Sequence, residues 1–323
     1  MKKLSTGSFI TLALATSLTI GLMSIHSAKA KTNMNTITAS VPSAVSPSAQ
    51  ISGLTSYFIG AGNNTLYVLR PGSDVAARVG VIGPVNGIVT EGDFRTATNQ
   101  LYVVTNTGNF YTVNLANAQA TRVATLSPNN NTSRMLDINP MADAFRWIGT
   151  NDLNYAITKG ANGVFNTVAV QTPVAYIQGD PNAGVNPNIV GGAYDNNQTG
   201  LATTTFYFVD SATNQFGTIN DRTAAGSSNT GGGRLQTVGA LFDQNGRVNI
   251  TQNSGFDITT FPRLGNLNVG WLVTDGKLTT VFTVQIPNSI PVGSIVNLGG
   301  TSQPLVGSDG QTKFSDVMIP IQQ

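Results

Sequence analysis

From Ile51 onward, apolar residues fall in short runs rich in Val, Ile, Tyr, Phe and Thr, cut repeatedly by Gly, Asn and Asp. Almost none of the chain shows the 3.6-residue spacing of an amphipathic helix, so the pattern predicts successive antiparallel hairpins. The clearest unit opens at Gly92-Asp93-Phe94-Arg95 and runs through residues 100–104 to a turn at Asn106-Thr107-Gly108. It returns through residues 109–113 and closes with 120–126. A second unit repeats this order over residues 136–140, 145–148, 153–157 and 164–168. Asp93 and Asp137 lie 44 residues apart, and Tyr102 and Arg146 each follow their aspartate by nine.

A third unit is expected at residues 191–194, 205–210 and 235–239, and a fourth at 255–258, 269–273, 278–282 and 295–299. Residues 65–70 and 77–81 read as outer strands of a unit with no clear opening strand, whereas 314–318 reads as an opening strand with nothing after it. A four-stranded blade cannot bury both faces alone; blades stack around an axis, and a terminal strand that completes the first blade removes the exposed edges. The expected fold is therefore an all-β propeller of five four-stranded blades over residues 51–323, closed by the C-terminal strand. The insert at 173–189 leaves room for a sixth blade. A pair of β-sandwiches would explain the hairpins but not their recurring order.

The first 30 residues break this pattern. Lys2 and Lys3 precede an uncharged stretch from Leu4 to Ile25, followed by Ala28-Lys29-Ala30, which is the three-part plan of a secretory signal. Ser5, Thr6, Ser8, Thr11, Thr16, Ser17 and Thr19 dilute the stretch too much for a retained membrane anchor. Residues 31–50, rich in Thr, Ser, Ala and Pro, read as a flexible linker. The expected location is outside the cytoplasm, periplasmic or extracellular, with no membrane insertion once the leader is gone.

Removing residues 1–30 takes away Lys2, Lys3 and Lys29 and no acid, so the formal net charge goes from +2 to −1. Basic residues such as Arg70, Arg95, Arg146, Arg234 and Lys313 stand singly, without the cluster that nucleic acid or an anionic membrane requires. The chain has no Cys, and its one histidine, His26, lies in the leader. Ser-His-Asp and Cys-His catalysis, and metal sites built on imidazole or thiolate, are thereby excluded from the mature chain. Glu91 is the only glutamate. Any chemistry must use Asp, Tyr, Lys, Arg or a hard cation held by oxygen.

The recurring aspartates carry most of that potential: Asp93, Asp137, Asp257 and Asp316, with Asp195 two residues past the matching Ala193. If the opening strands are innermost, these carboxylates either converge on the channel, where mutual repulsion favours bound Ca²⁺ or raised pKa values, or cap backbone N–H groups of neighbouring blades. Asp180, Asn182, Asn186 and Asn188 alternate in a loop that either holds a cation or, with Pro181, Gly184 and Pro187, specifies consecutive turns. Gly231-Gly232-Gly233 reads as a hairpin tip. Tyr102, Tyr111, Trp147, Tyr155, Tyr207 and Trp271 read as packing between blades, with stacking on a sugar at the channel mouth as the alternative.

The run Gly179-Asp180-Pro181-Asn182-Ala183-Gly184-Val185-Asn186-Pro187-Asn188-Ile189-Val190, the following Ala193-Tyr194, the Gly92-Asp93-Phe94-Arg95 opening and Gly255-Phe256-Asp257-Ile258 resemble exported bacterial proteins grouped as domain of unknown function 4394. The resemblance covers about Gly53 to Pro320. Asn117-Ala118-Gln119-Ala120 departs from it, standing where such proteins commonly carry Ala-Thr-Gly. It implies a propeller-like fold and brings no catalytic residues. Three functions stay open: a non-enzymatic module binding a small molecule, glycan or protein through loops at one end; a cation-dependent hydrolase or lyase using channel carboxylates; and a structural envelope or matrix component.

Overall fold

The structure is a computed structural model and describes residues 54–130, 132–219, 232–282 and 298–322. The expected signal (1–30), the linker (31–50) and Gly231 lie outside the described residues. Blade I begins with β1 (Ser56–Gly60), β2 (Thr65–Leu69) and β3 (Val75–Val81). Blade II is β4 (Val89–Arg95), β5 (Gln100–Thr105), β6 (Asn109–Val113) and β7 (Ala120–Thr125). Blade III is β8 (Ser133–Asn139), β9 (Ala144–Gly149), β10 (Asn154–Lys159) and β11 (Phe165–Val170). Blade IV holds β12 (Ala175–Tyr176), β13 (Ile189–Tyr194), β14 (Phe206–Asp210), β15 (Gln215–Ile219) and β16 (Arg234–Gly239). Blade V holds β17 (Leu241–Asp243), β18 (Gly246–Arg247), β19 (Gly255–Phe261), β20 (Leu267–Thr274), β21 (Lys277–Phe282) and β22 (Leu298–Pro304). The last strands, β23 (Val306–Gly307) and β24 (Phe314–Met318), return to blade I. A single 3-10 turn at Pro262–Leu264 is the only helical element among the described residues.

The molecule is a five-bladed β-propeller. β24 pairs antiparallel with β1, Phe58 opposite Val317, and thereby supplies blade I with its innermost strand. Around the axis β24, β4, β8, β13 and β19 each lie against the next, and β19 meets β24 to shut the circle. The apolar core is correspondingly split into five clusters, one per interface between blades. Phe110 of blade II meets Phe145 and Trp147 of blade III, for example, and Phe216 of blade IV meets Phe256 and Leu272 of blade V. Inner strands have a neighbouring blade on both faces, so β14 is buried at every position and its sequence, Phe-Tyr-Phe-Val-Asp, is almost continuously apolar. The outer strand β7 exposes Thr121 and Arg122, as expected of an edge.

Three sequence expectations are corrected. Residues 173–189 form no sixth blade: only β12 forms there before β13, and it pairs parallel to β16 on the outside of blade IV. Blade I has a further strand, β1, between the C-terminal strand and residue 65. Blade IV has β15, whose Gln215, Gly217 and Thr218 dilute its apolar signal. Gly217 is required there, because a Cβ would come within 2.3 Å of the Phe208 ring. The closing strand of blade V begins at Leu298, and residues 295–297 of the expected run lie outside the described residues.

Candidate functional site

Four of the recurring aspartates sit on innermost strands and are at most 4% exposed. Each joins its blade to the next. Asp316 Oδ2 accepts the Gly92 N–H at 2.8 Å, and Asp93 Oδ2 accepts that of Ile138 at 2.7 Å. Asp137 Oδ1 accepts the Tyr194 N–H at 3.0 Å, and Asp257 Oδ2 accepts that of Ile319 at 2.6 Å. The second oxygens of Asp93, Asp257 and Asp316 accept the amides of their own following residues. Blade IV has Ala193 at this position, so the circle of latches has one gap.

Carboxylate oxygens of Asp93, Asp137 and Asp257 all lie within 4.8 Å of one another. Burial, followed by the charges of the neighbouring aspartates, pushes Asp93 and Asp137 well above the usual carboxylate range. Burial raises Asp316 in the same way, against the opposing effect of the Gly92 amide. Burial raises Asp257 to about 7, while its two backbone donors pull the other way. The cluster can therefore do one of two things: hold protons more tightly than ordinary carboxyls, or hold a hard cation on oxygens that have lone pairs to spare.

Asp195 is not part of this cluster. It lies beyond the end of β13, its Oδ1 accepts the Thr205 N–H, and burial raises it to about 6. In the 180–188 loop, Asp180 turns inward: Oδ1 accepts the Asn182 N–H and the Thr237 hydroxyl, and Oδ2 accepts the Thr237 N–H. Asn182 Nδ2 also reaches Thr237, whereas the Asn188 N–H goes to Asp210, and Asn186 is exposed. The loop is thus stapled to blade IV by turn and capping bonds. Tyr111, Trp147, Tyr155, Tyr207 and Trp271 are buried between blades; Tyr102, half-buried, packs against Phe110, Phe145 and Phe165.

A cavity of about 630 Å³ opens at the end of the ring where the innermost strands begin. Arg134, Thr150 and Ser133 line it from blade III, Thr90 from blade II, Lys313 from blade I and Asn253 from blade V. No acidic side chain lines it among the described residues. Two β-bulges lie here: the ladder skips Thr90 between Val89 and Glu91, and Arg134 between Ser133 and Met135; the matching bulge of β13 skips Val190, which packs in the core instead. Bulges re-aim side chains and concentrate beside functional sites. Glu91, two residues ahead of Asp93, is 2% exposed, and its Oε1 has no hydrogen-bond partner. Burial, then Asp316, pushes its pKa well above normal, against a lowering by Arg134.

Residues 65–295 match the family described as Domain of unknown function (DUF4394). The chain belongs to this family. No curated relative matches. Among solved structures, this DUF4394 chain is similar to a structural genomics protein of unknown function from Bacteroides thetaiotaomicron, at 18% identity and a TM-score of 0.43 over 67% of this chain. It spans about half of that protein's length, 52%. It is also similar to the Dos1 propeller, at 11% identity and a TM-score of 0.40, over 80% of this chain and 65% of that one. Neither likeness bears on function, and the fold assignment rests on strand order.

Sequence reasoning located the aspartates but not the mouth. In the sequence Lys313 reads only as one scattered cation, and Arg134 stands in no recognisable motif. The signal that could have found Arg134 is its place just before a repeat's opening aspartate, the position that Thr90 holds in the preceding unit.

Proposed function

We propose that this DUF4394 protein is an exported, non-enzymatic binding module that takes a small polar ligand at the mouth of the propeller axis. The observation that carries this reading is the bulged start of β4 and β8 at a 630 Å³ cavity, a volume within the roughly 300–1,000 Å³ of small-molecule sites. The polar lining supports a ligand held by hydrogen bonds. The commitment of the Asp93, Asp257 and Asp316 oxygens to backbone amides supports a structural duty for them and speaks against catalysis. The leader supports export, and a mature chain starting at Lys31 is the corresponding mass.

The test is calorimetry of the purified protein against a panel of neutral sugars, sugar acids and amino acids. Saturable binding that Thr150→Trp abolishes without lowering Tm supports the reading. Binding untouched by Thr150→Trp, or none across the panel, overturns it.

The approach of Asp93, Asp137 and Asp257 within 4.8 Å favours a second reading, in which Ca²⁺ held on the axis serves hydrolysis or lysis. Millimolar Ca²⁺ would then raise Tm by mass action, and chelation would lower it. An unchanged Tm in both arms removes that reading.

A further inference from the structure

We propose that the mouth cavity is selective for a small polyhydroxylated carboxylate, a sugar acid, whose carboxylate is received by Arg134. This inference rests on the mouth-binding reading and narrows it. Arg134 is the residue that the β8 ladder skips, so its side chain is freed from the alternation that would pack it between blades, and it lines the cavity. Its guanidinium makes no hydrogen bond or ion pair among the described residues, unlike Arg78, Arg95 and Lys159. A planar guanidinium offers paired N–H donors that match both oxygens of a carboxylate.

Lys313 brings a second cation to the same cavity from the segment before β24. Glu91, a buried carboxyl whose Oε1 has no hydrogen-bond partner, has its pKa pushed well above normal by burial and Asp316 against the lowering by Arg134, which weakens its competition for this positive charge. Thr150 and Asn253 complete the set. Their side chains make no hydrogen bond among the described residues, and they offer a hydroxyl and an amide to ligand hydroxyls. No aromatic side chain lines the cavity among the described residues, so affinity must come from charge and hydrogen bonds.

The experiment is calorimetry with gluconate and glucuronate beside glucose and inorganic phosphate. Both acids are expected to bind at least about tenfold more tightly than glucose, a margin of about 1.4 kcal/mol. Arg134→Gln should reduce the acids to the level of glucose, and Arg134→Lys should restore part of the margin. Lys313→Gln, at an exposed position, is the second variant; it should weaken the acids severalfold, and by more than it weakens glucose. Equal binding of glucose and the acids, or a margin that survives both Gln variants, overturns the sugar-acid inference. The mouth reading stands in that case if Thr150→Trp still abolishes binding. Phosphate bound more tightly than either acid overturns the choice of a carboxylate, and failure of every probe to bind overturns the inference outright.

Discussion

The carboxylate of Asp316 accepts the backbone N–H of Gly92 at 2.8 Å, a bond between positions 224 residues apart in the chain. It fastens the innermost strand of blade I to that of blade II. Because Gly92 is buried, losing the acceptor leaves an amide with neither partner nor water. Asp316→Ala should cost about 1–3 kcal/mol. Urea denaturation at about pH 5 checks this, since the neighbouring acids then keep their protons and relief of repulsion does not mask the loss. An unchanged midpoint would remove the latch.

The inner carboxyls also fix the direction of the pH response. Asp93, Asp137, Asp257 and Asp316 hold protons more tightly folded than unfolded. Their contribution is complete below about pH 4, where the unfolded chain is also protonated, and is lost as pH rises through the folded pKa values. For Asp257 that value is about 7. Urea midpoints should therefore fall from about pH 5 to about pH 8, and Asp257→Asn should flatten the slope. Asp143 has a lowered pKa and works in the opposite sense, but only in more acidic solution. A midpoint that rises across this window contradicts the assignment.

Trp147 carries the II–III interface. It is fully buried, donates from Nε1 to Ser133 Oγ at 2.6 Å and meets Tyr155 edge-on. Trp147→Ala should cost about 3–5 kcal/mol. Ser133→Ala, which leaves the indole N–H unsatisfied, should cost about 1–3 kcal/mol. Chemical denaturation of both variants tests the ranking, which fails if Ser133→Ala proves the worse.

At the end of the ring opposite the mouth, Arg95 makes a two-bond contact with Asp143, and Lys159 shares the same carboxylate. The group is partly exposed, so Asp143→Ala should cost no more than about 1 kcal/mol. Melting in low and high salt checks this: the difference between wild type and variant should shrink as salt screens the charges.

The repeat was legible because innermost strands need similar residues in four of the five blades. A small or apolar residue, then an acid, recurs where blades I, II, III and V reach the next, blade IV having Ala193 instead, and Asp93 and Asp137 announced it at their 44-residue spacing. β1 and β15 escaped notice for a physical reason. Both are five-residue strands whose place is fixed by β24 and by Phe208, partners distant in sequence or visible only once the chain is folded. The mouth was hidden for a similar reason: Arg134, Asn253 and Lys313 come from three blades, and only ring closure and a bulge bring them to one cavity.

The seam in blade I has a consequence for assembly. Pairing β24 with β1 closes a loop of some 250 residues, the largest among the described strand pairings, and loop-closure entropy makes it a late event. Until then β1 presents an unsatisfied edge, and the same latch can be completed by the terminal strand of a second copy. Concentrated refolding should therefore yield interlocked dimers through strand exchange, whereas dilute refolding favours the self-closed monomer.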